Sequence, residues 1–287
     1  MQGLTETVIG SCNQPRAAIV YDWENWWAVE DAAAVTLPFS YLQHWLGHYT
    51  ALWKQGVAVD IVDMDDPLEG YDLVIAPVNY MYRGNYIETV RSFVARGGTY
   101  VTTYWSGEVN DTDLCFLDRH PLSEVLGIRT EEIDVAPPYL RNAIDWDGSS
   151  YPTRDLLAIV HAETAEVLGT YHDDFYAGCP ALTCNRYGEG KAWFIAAETE
   201  QPFLDALYRR LAETTGVAHR FPAVLPEGVV VTERVDAAGK PIWFLQNFNR
   251  TEASVSLTQP CVDAESGETL QDELRLETYR CRILRPL

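Results

Sequence analysis

Between Ala17 and Tyr104 the chain passes three times from a short apolar run into a stretch with helical spacing, and that alternation restricts it to a sheet layered with helices. Ala17-Ala18-Ile19-Val20-Tyr21 is predicted as a buried strand. A helix follows from about Pro38 to Gln55, where Leu42, Trp45, Leu46, Tyr49, Leu52 and Trp53 share one face. Pro38 suits its first turn and Gly56 its stop. Val57–Val62 and Asp72–Val78 are apolar runs of strand length and are predicted as adjacent parallel strands. A second helix is expected from about Asn85 to Arg96, with Ile87, Val90 and Val94 inward and Gly97-Gly98 as its end, before a strand at Thr99–Tyr104. Right-handed crossovers then make an open, mostly parallel, doubly wound α/β sheet the expected fold.

Beyond this the pattern loosens. Asn110–Pro152, with Pro137-Pro138 and two polar clusters, is expected to form surface loops around a short helix at Leu122–Leu126. Strand signals at Ala165–Tyr171 and Lys191–Ala196, joined through the turn Tyr187-Gly188-Glu189-Gly190, point to antiparallel strands that extend the sheet. A helix over Pro202–Thr215, with Phe203, Leu207 and Leu211 inward, should close the domain. From about Val224 only short strands remain: Val229–Val235, Ile242–Asn247, Ala253–Leu257 and Tyr279–Leu284. They suggest a small antiparallel sandwich.

Charge narrows the choice of partners. The 21 Lys and Arg residues stand against 42 Asp and Glu, and a net charge of -21 repels both nucleic acid phosphates and anionic membranes. No apolar run approaches the roughly 20 residues that span a bilayer, and the first dozen residues lack a secretory pattern, so a soluble cytoplasmic protein is expected. Cys12, Cys115, Cys179, Cys184, Cys261 and Cys281 form no C-x-x-C pair and are expected to be reduced, mostly buried thiols.

The most unusual segment is Asp22-Trp23-Glu24-Asn25-Trp26-Trp27, at the C-terminal end of the first strand, the edge where open α/β sheets usually bind ligands. Three readings stand open for this Trp-rich loop. Its indoles and carboxylates could stack on and hydrogen-bond a sugar, anchor an oligomer interface, or belong to the intrachain core. His44 and His48, four apart on the first long helix, lack the further ligands of a metal site and are expected to be solvated or interface histidines. His172-Asp173-Asp174 is read as a turn or solvated edge. No metal or cofactor is expected.

The stretch Ala17–Ala28 (AAIVYDWENWWA) resembles the opening of the middle domain of family 42 glycoside hydrolases, the β-galactosidases. Asp72–Val78, Gly97–Tyr104 with Ser106-Gly107, the Asn185–Gly190 turn and the terminal sandwich follow in family order. The resemblance implies a linker remnant over 1–14, a trimerisation domain over 15–222 with a class I amidotransferase-like (flavodoxin-like) fold, and a C-terminal β-sandwich over 223–287. It further implies a homotrimer, possible association with a separate catalytic barrel, and galactosides as the parent substrate class.

Catalysis in that family belongs to a (β/α)₈ barrel of about 250 residues, and only about fifteen residues precede the first strand here. No Asn-Glu dipeptide matches the family's acid/base motif. No catalytic residue is therefore assigned, and the chain is expected to be non-catalytic, as a module or as a fragment or split-gene product of a complete enzyme. The alternative from another class is a carbohydrate-binding accessory protein. An amidotransferase-type activity would need a Cys nucleophile in the turn after Thr99–Tyr104, where Trp105-Ser106-Gly107-Glu108 stands instead, with Cys115 too distant. Ser106 lacks the G-x-S-x-G context of a hydrolase and is read as a structural turn.

Overall fold

The computed structural model describes residues 7–32, 39–116, 119–136 and 141–287. The described residues fall into two compact units, one of 17–49 and 60–207, the other of the residues up to 16, 50–59 and 208–287. In the larger unit, strand β1 (Ala17–Val20) precedes helices α1 (Trp23–Asp31) and α2 (Tyr41–Lys54) and strands β2 (Val59–Val62), β3 (Leu73–Ala76) and β4 (Met81–Tyr82). Helix α3 (Tyr86–Ala95), β5 (Thr99–Thr103), β6 (Val109–Asn110) and the short α4 (Ser123–Leu126) follow. Strands β7 (Ile128–Val135), β8 (Ala143–Trp146), β9 (Ser149–Ala162), β10 (Glu166–Tyr171), β11 (Pro180–Tyr187), β12 (Gly190–Ile195) and β13 (Ala197–Thr199) lead to α5 (Gln201–Thr215). Helices α2 and α5 contribute residues to both units.

One sheet runs through the larger unit in the order β13-β9-β8-β10-β11-β12-β5-β3-β1-β2, with β7 also on β9. Its pairs β1–β3, β3–β5 and β5–β12 are parallel. The pairs from β12 outward through β11, β10, β8 and β9 are antiparallel. The sheet is therefore mixed, with a parallel run at one side, but β2 and β3 are not the adjacent strands predicted: β1 lies between them, because the chain crosses over rather than pairing consecutive strands. Strands β1, β3 and β5 are buried along their whole length, as strands covered on both faces must be. Strand β2 lies at the edge, covers Val59–Val62 of the predicted Val57–Val62, and exposes Asp60 and Ile61.

Three expectations need correction. The 110–152 stretch holds β7, β8 and the start of the 14-residue β9 as well as the expected short helix. Charges in β7 (IRTEEIDV) and Pro152-Thr153-Arg154-Asp155 in the first half of β9 broke the apolar alternation there, although the second half of β9 carries the apolar run Leu156–Val160. Pro137 and Pro138 lie outside the described residues. The Tyr187–Gly190 turn joins β12 to β11, a strand absent from the prediction, and β12 then lies parallel to β5. Helix α2 buries Tyr41, Trp45, His48 and Leu52, while Leu46 is 37% exposed, so its inward stripe is rotated from the predicted one. The expected start at Pro38 lies outside the described residues. Gly56 ends α2 at φ +65°, and a Cβ there would stand 2.8 Å from the Val231 side chain.

In the smaller unit β14 (Val229–Val235), β15 (Pro241–Asn247), β16 (Ala253–Ser256), β17 (Cys261–Asp263), β18 (Thr269–Leu270), β19 (Glu273–Leu276) and β20 (Cys281–Pro286) are all antiparallel. A five-stranded sheet, β14-β15-β20-β17-β18, and the pair β16-β19 share one core that includes Phe221, Val231, Trp243, Leu245, Val255 and Leu274. Strand β15 alternates from Trp243 to Asn247, with Trp243 and Leu245 inward, whereas β14 opens on three consecutive buried valines, Val229–Val231. All six cysteines are free, but only Cys261 is fully buried, against the expectation of mostly buried thiols.

Candidate functional site

Backbone strain marks the C-terminal edge of the parallel strands. Val78, just beyond β3, has φ +47°, and Trp105, just beyond β5, has φ +53°, both in the left-handed region that a β-branched or bulky residue rarely adopts. Each such residue costs about 1–3 kcal/mol and persists only where its surroundings hold it. Val78 N–H donates to Thr103 Oγ1 (2.8 Å) and its carbonyl accepts from Asn25 Nδ2 (3.1 Å).

Helix α1 is built at this same edge, and it corrects the reading of its sequence as a loop. Asp22 is the N-cap, with its side chain accepting from the backbone N–H of Asn25 at 2.7 Å, and Glu24 lies in the positively polarised first turn. Asp22 and Asn25 are both fully buried. Asn25 clasps the loop after β3 by donating to Val78 O and accepting from Met81 N at 3.0 Å. These two residues are scaffold.

The remaining candidates face outward. Trp23 is 54% and Trp27 63% exposed, one helical turn apart, with Glu24 also exposed. Trp26 is half-buried and its indole N–H donates to Glu30. Trp23 rests edge-on against Tyr21 (ring centroids 5.7 Å) and beside Trp26 (5.1 Å), and Tyr21 in turn contacts Trp45 (5.3 Å). The exposed indoles thus stand on a packed aromatic base.

Arg83 was not among the predicted site residues. Its Nε and Nη2 both donate to Asp22 Oδ2 (2.9 and 2.6 Å), and it also pairs with Asp63 and Asp65 at 2.5 Å and with Glu24 at 3.6 Å. Burial opposes its charge, but the carboxylates of Asp22 and Asp65 outweigh that and push its pKa above the ordinary value. A single cation among four carboxylates, placed directly after β4, fixes the start of α1 to the loop after β2 and leaves this edge acidic. The available signal was Arg83-Gly84 directly after an apolar run, in a chain short of cations.

The turn after β5 is ordered just as closely. Phe39 and Tyr80 pack on Trp105 with ring centroids 5.0 and 5.1 Å away. Ser106 Oγ accepts from Asn79 N at 3.0 Å, which supports its structural reading. His120 donates from Nε2 to Ser106 O (2.8 Å) and accepts at Nδ1 from Leu122 N (3.1 Å), the pattern of a neutral imidazole. Burial lowers its pKa to about 4, against the pull of the Ser106 carbonyl. Gly107, at φ +70°, leaves room for this arrangement, because a Cβ would stand 2.5 Å from His120 Nε2.

A model of the β-galactosidase trimerisation domain matches residues 15–218. The chain belongs to that family. It is 37% identical to the β-galactosidase Pbg of Clostridium perfringens, over 98% of this chain and 42% of that protein. It is also 40% identical to the β-galactosidase BgaP of Planococcus sp. strain L4, over 88% of this chain and 38% of that protein. Among solved structures, the β-galactosidase from Bacillus circulans sp. alkalophilus superposes with TM-score 0.91 at 36% identity, covering 100% of this chain and 43% of that one. The enzyme from Rahnella sp. R3 gives 0.90 at 40% identity, covering 97% and 42%. The chain thus spans about two fifths of the length of these relatives and corresponds to the trimerisation-domain region of family 42 β-galactosidases.

Within this family member, the histidines of α2 depart from expectation. His48 is only 4% exposed and burial lowers its pKa to about 3, with the charge of His44 acting in the same direction. His44, lowered to about 4 chiefly by burial, meets the Tyr104 hydroxyl at 2.9 Å and stacks on Phe39. Both are neutral packing residues, because an uncharged imidazole fills a core position as an aromatic ring does. Exposed His172 pairs with Asp145 at 2.8 Å beside a turn, as its reading as a turn or solvated edge anticipated. Among the described residues no group of His, Cys, Asp and Glu could hold a metal ion, and no helix is long and apolar enough to cross a membrane.

Proposed function

We propose that the chain is the non-catalytic trimerisation and C-terminal module of a family 42 β-galactosidase, supporting hydrolysis of terminal β-D-galactosides by a (β/α)₈ barrel. It assembles as a cytoplasmic homotrimer, and the ridge of Trp23 and Trp27 lies in the contact between subunits. One observation carries this reading: two indoles more than half exposed, one turn apart, on a helix locked by its N-cap and by Arg83. Aromatic side chains held rigidly at a surface lose little freedom on binding and are the common anchors of interfaces.

Closure of a three-subunit ring requires a heterologous contact, so the ridge meets a different face of the neighbour. The parallel run β1-β3-β5-β12 and the strained turn at Trp105 support an amidotransferase-like (flavodoxin-like) ancestry for the larger unit. Domain limits of 15–222 and 223–287 follow from the same reading. Size-exclusion chromatography with light scattering tests it: Trp23→Asp with Trp27→Asp should convert the trimer to monomer with an unchanged circular dichroism spectrum. A trimer that survives the double substitution removes the ridge from the interface.

A second reading rests on Glu24 and Glu30 flanking the indoles, as the acceptors around a stacked sugar would. It makes the ridge the rim of a carbohydrate-binding accessory. Quenching of Trp fluorescence by galactose that Trp27→Ala abolishes would favour it over the interface.

A further inference from the structure

Away from the Trp23–Trp27 ridge, a cavity of about 600 Å³ opens beside the turn after β5. Its volume lies within the range of about 300–1,000 Å³ typical of small-molecule sites. Trp105 and Phe116 supply aromatic surface, and Glu108, Ser123, Arg129 and Thr130 supply acceptors and donors. The wall is pre-organised: Trp105 is held in its left-handed conformation by Phe39 and Tyr80, and Glu108 N–H donates to Tyr80 O at 2.9 Å.

Glu108 gives the cavity its chemistry. Its side chain is partly buried at the wall, and burial alone pushes its pKa up to about 7. Among the described residues no ion pair or side-chain hydrogen bond is formed by its carboxyl, so the group has unused capacity to bond a ligand. The charged groups at the mouth balance, Arg119 and Arg129 against Glu131 and Glu132, and Arg119 and Glu131 are already paired with Glu163 and His161. With Glu108 ionised the lining carries three carboxylates against two guanidiniums, which disfavours a phosphate, and among the described residues no group of His, Cys, Asp and Glu could hold a metal ion. A neutral ligand with an apolar face and a ring of hydroxyls matches every part of it, since the face covers the aromatic surface and the hydroxyls donate to a carboxylate and accept from an arginine.

We propose that this cavity is a binding site for a neutral pyranose sugar, with Glu108 accepting its hydroxyls and Phe116 covering its apolar face. None of the residues lining the site belongs to the Trp23–Trp27 ridge. Lactose and galactose are the probes, titrated calorimetrically into the full chain up to about 100 mM, a range that captures millimolar affinity. At about pH 8.5, where Glu108 with its pKa of about 7 is ionised, saturable binding is expected, weakened about tenfold by Glu108→Gln through the loss of a charge-assisted hydrogen bond. Phe116→Ala should weaken it as well, whereas Trp27→Ala should leave it unchanged, with circular dichroism confirming that each variant is folded.

The absence of saturable binding to both sugars overturns the proposal. So does equal affinity in Glu108→Gln and the parent chain, or loss of binding in Trp27→Ala alone, which would put the sugar on the ridge. Sedimentation of the same samples reports self-association independently, so failure of the cavity and failure of the trimer are read separately.

Discussion

Helices α1 and α2 follow one another in sequence, both carry tryptophan, and they use it in opposite ways. In α2, Trp45 is 5% exposed, and its indole N–H donates to the Val20 carbonyl at 2.9 Å. In α1, Trp23 and Trp27 point outward while a small polar residue, Asn25, takes the buried position. A helix that needed its indoles for its own packing would have been turned the other way. Asp22 and Asn25 prevent that by fixing its start and its inner face through hydrogen bonds, which leaves Trp23 and Trp27 at the surface.

The comparison breaks first if Trp45 is not the more important residue for folding. Trp45→Ala removes a buried indole and should cost about 3–5 kcal/mol in denaturant unfolding of the chain. A loss as small as that of a surface substitution would mean that α2 does not anchor this edge. Asp22→Ala should have the next largest effect, about 2 kcal/mol, because it removes the N-cap and also the most buried partner of Arg83. Asp22→Asn keeps the cap acceptor and should recover part of that loss.

Acid stability tests the packing of α2 more finely. His48 is neutral in the fold with a pKa of about 3, below the ordinary 6.5, so its contribution is complete above pH 6.5 and is lost as pH falls towards 3. Glu108, raised to about 7, acts with the opposite sign, its contribution being lost as pH rises from 4.5 through 7. The difference between His48→Met and the parent chain isolates the histidine. The variant should lose less stability than the parent between pH 6.5 and 4, and parallel curves would contradict a buried neutral His48.

Much of this was legible from sequence. The runs at Ala17–Val20, Leu73–Ala76 and Thr99–Thr103 are buried on both faces and so are continuous in sequence, and their strands were identified directly. Helix α1 was not, because its burial rests on Asn25 and Val29 and no apolar stripe marks it. Its N-cap, Asp22 followed by Glu24, was the signal available. Strand β7 escaped because its charged residues leave no apolar period, whereas β9 holds a readable apolar run, Leu156–Val160, that was passed over behind the polar Ser149–Asp155 stretch. Arg83 could not be placed from sequence, since it meets Asp22, Asp63 and Asp65 only when the ends of β1, β2 and β4 are brought together.

The smallest effect on folding is expected on the outward face. Trp23→Ala and Trp27→Ala should each change unfolding free energy of the separated subunit by less than about 0.5 kcal/mol, the range of surface substitutions. A large loss in either would place the indole in the core and erase the contrast with α2.

Sedimentation equilibrium of the unmodified chain at micromolar concentration bears most directly on the central claim. The mass should be three times the 32.4 kDa of one chain, and Trp23→Ala with Trp27→Ala should shift it toward the monomer. A single species at 32.4 kDa across the concentration range would contradict self-association through this ridge.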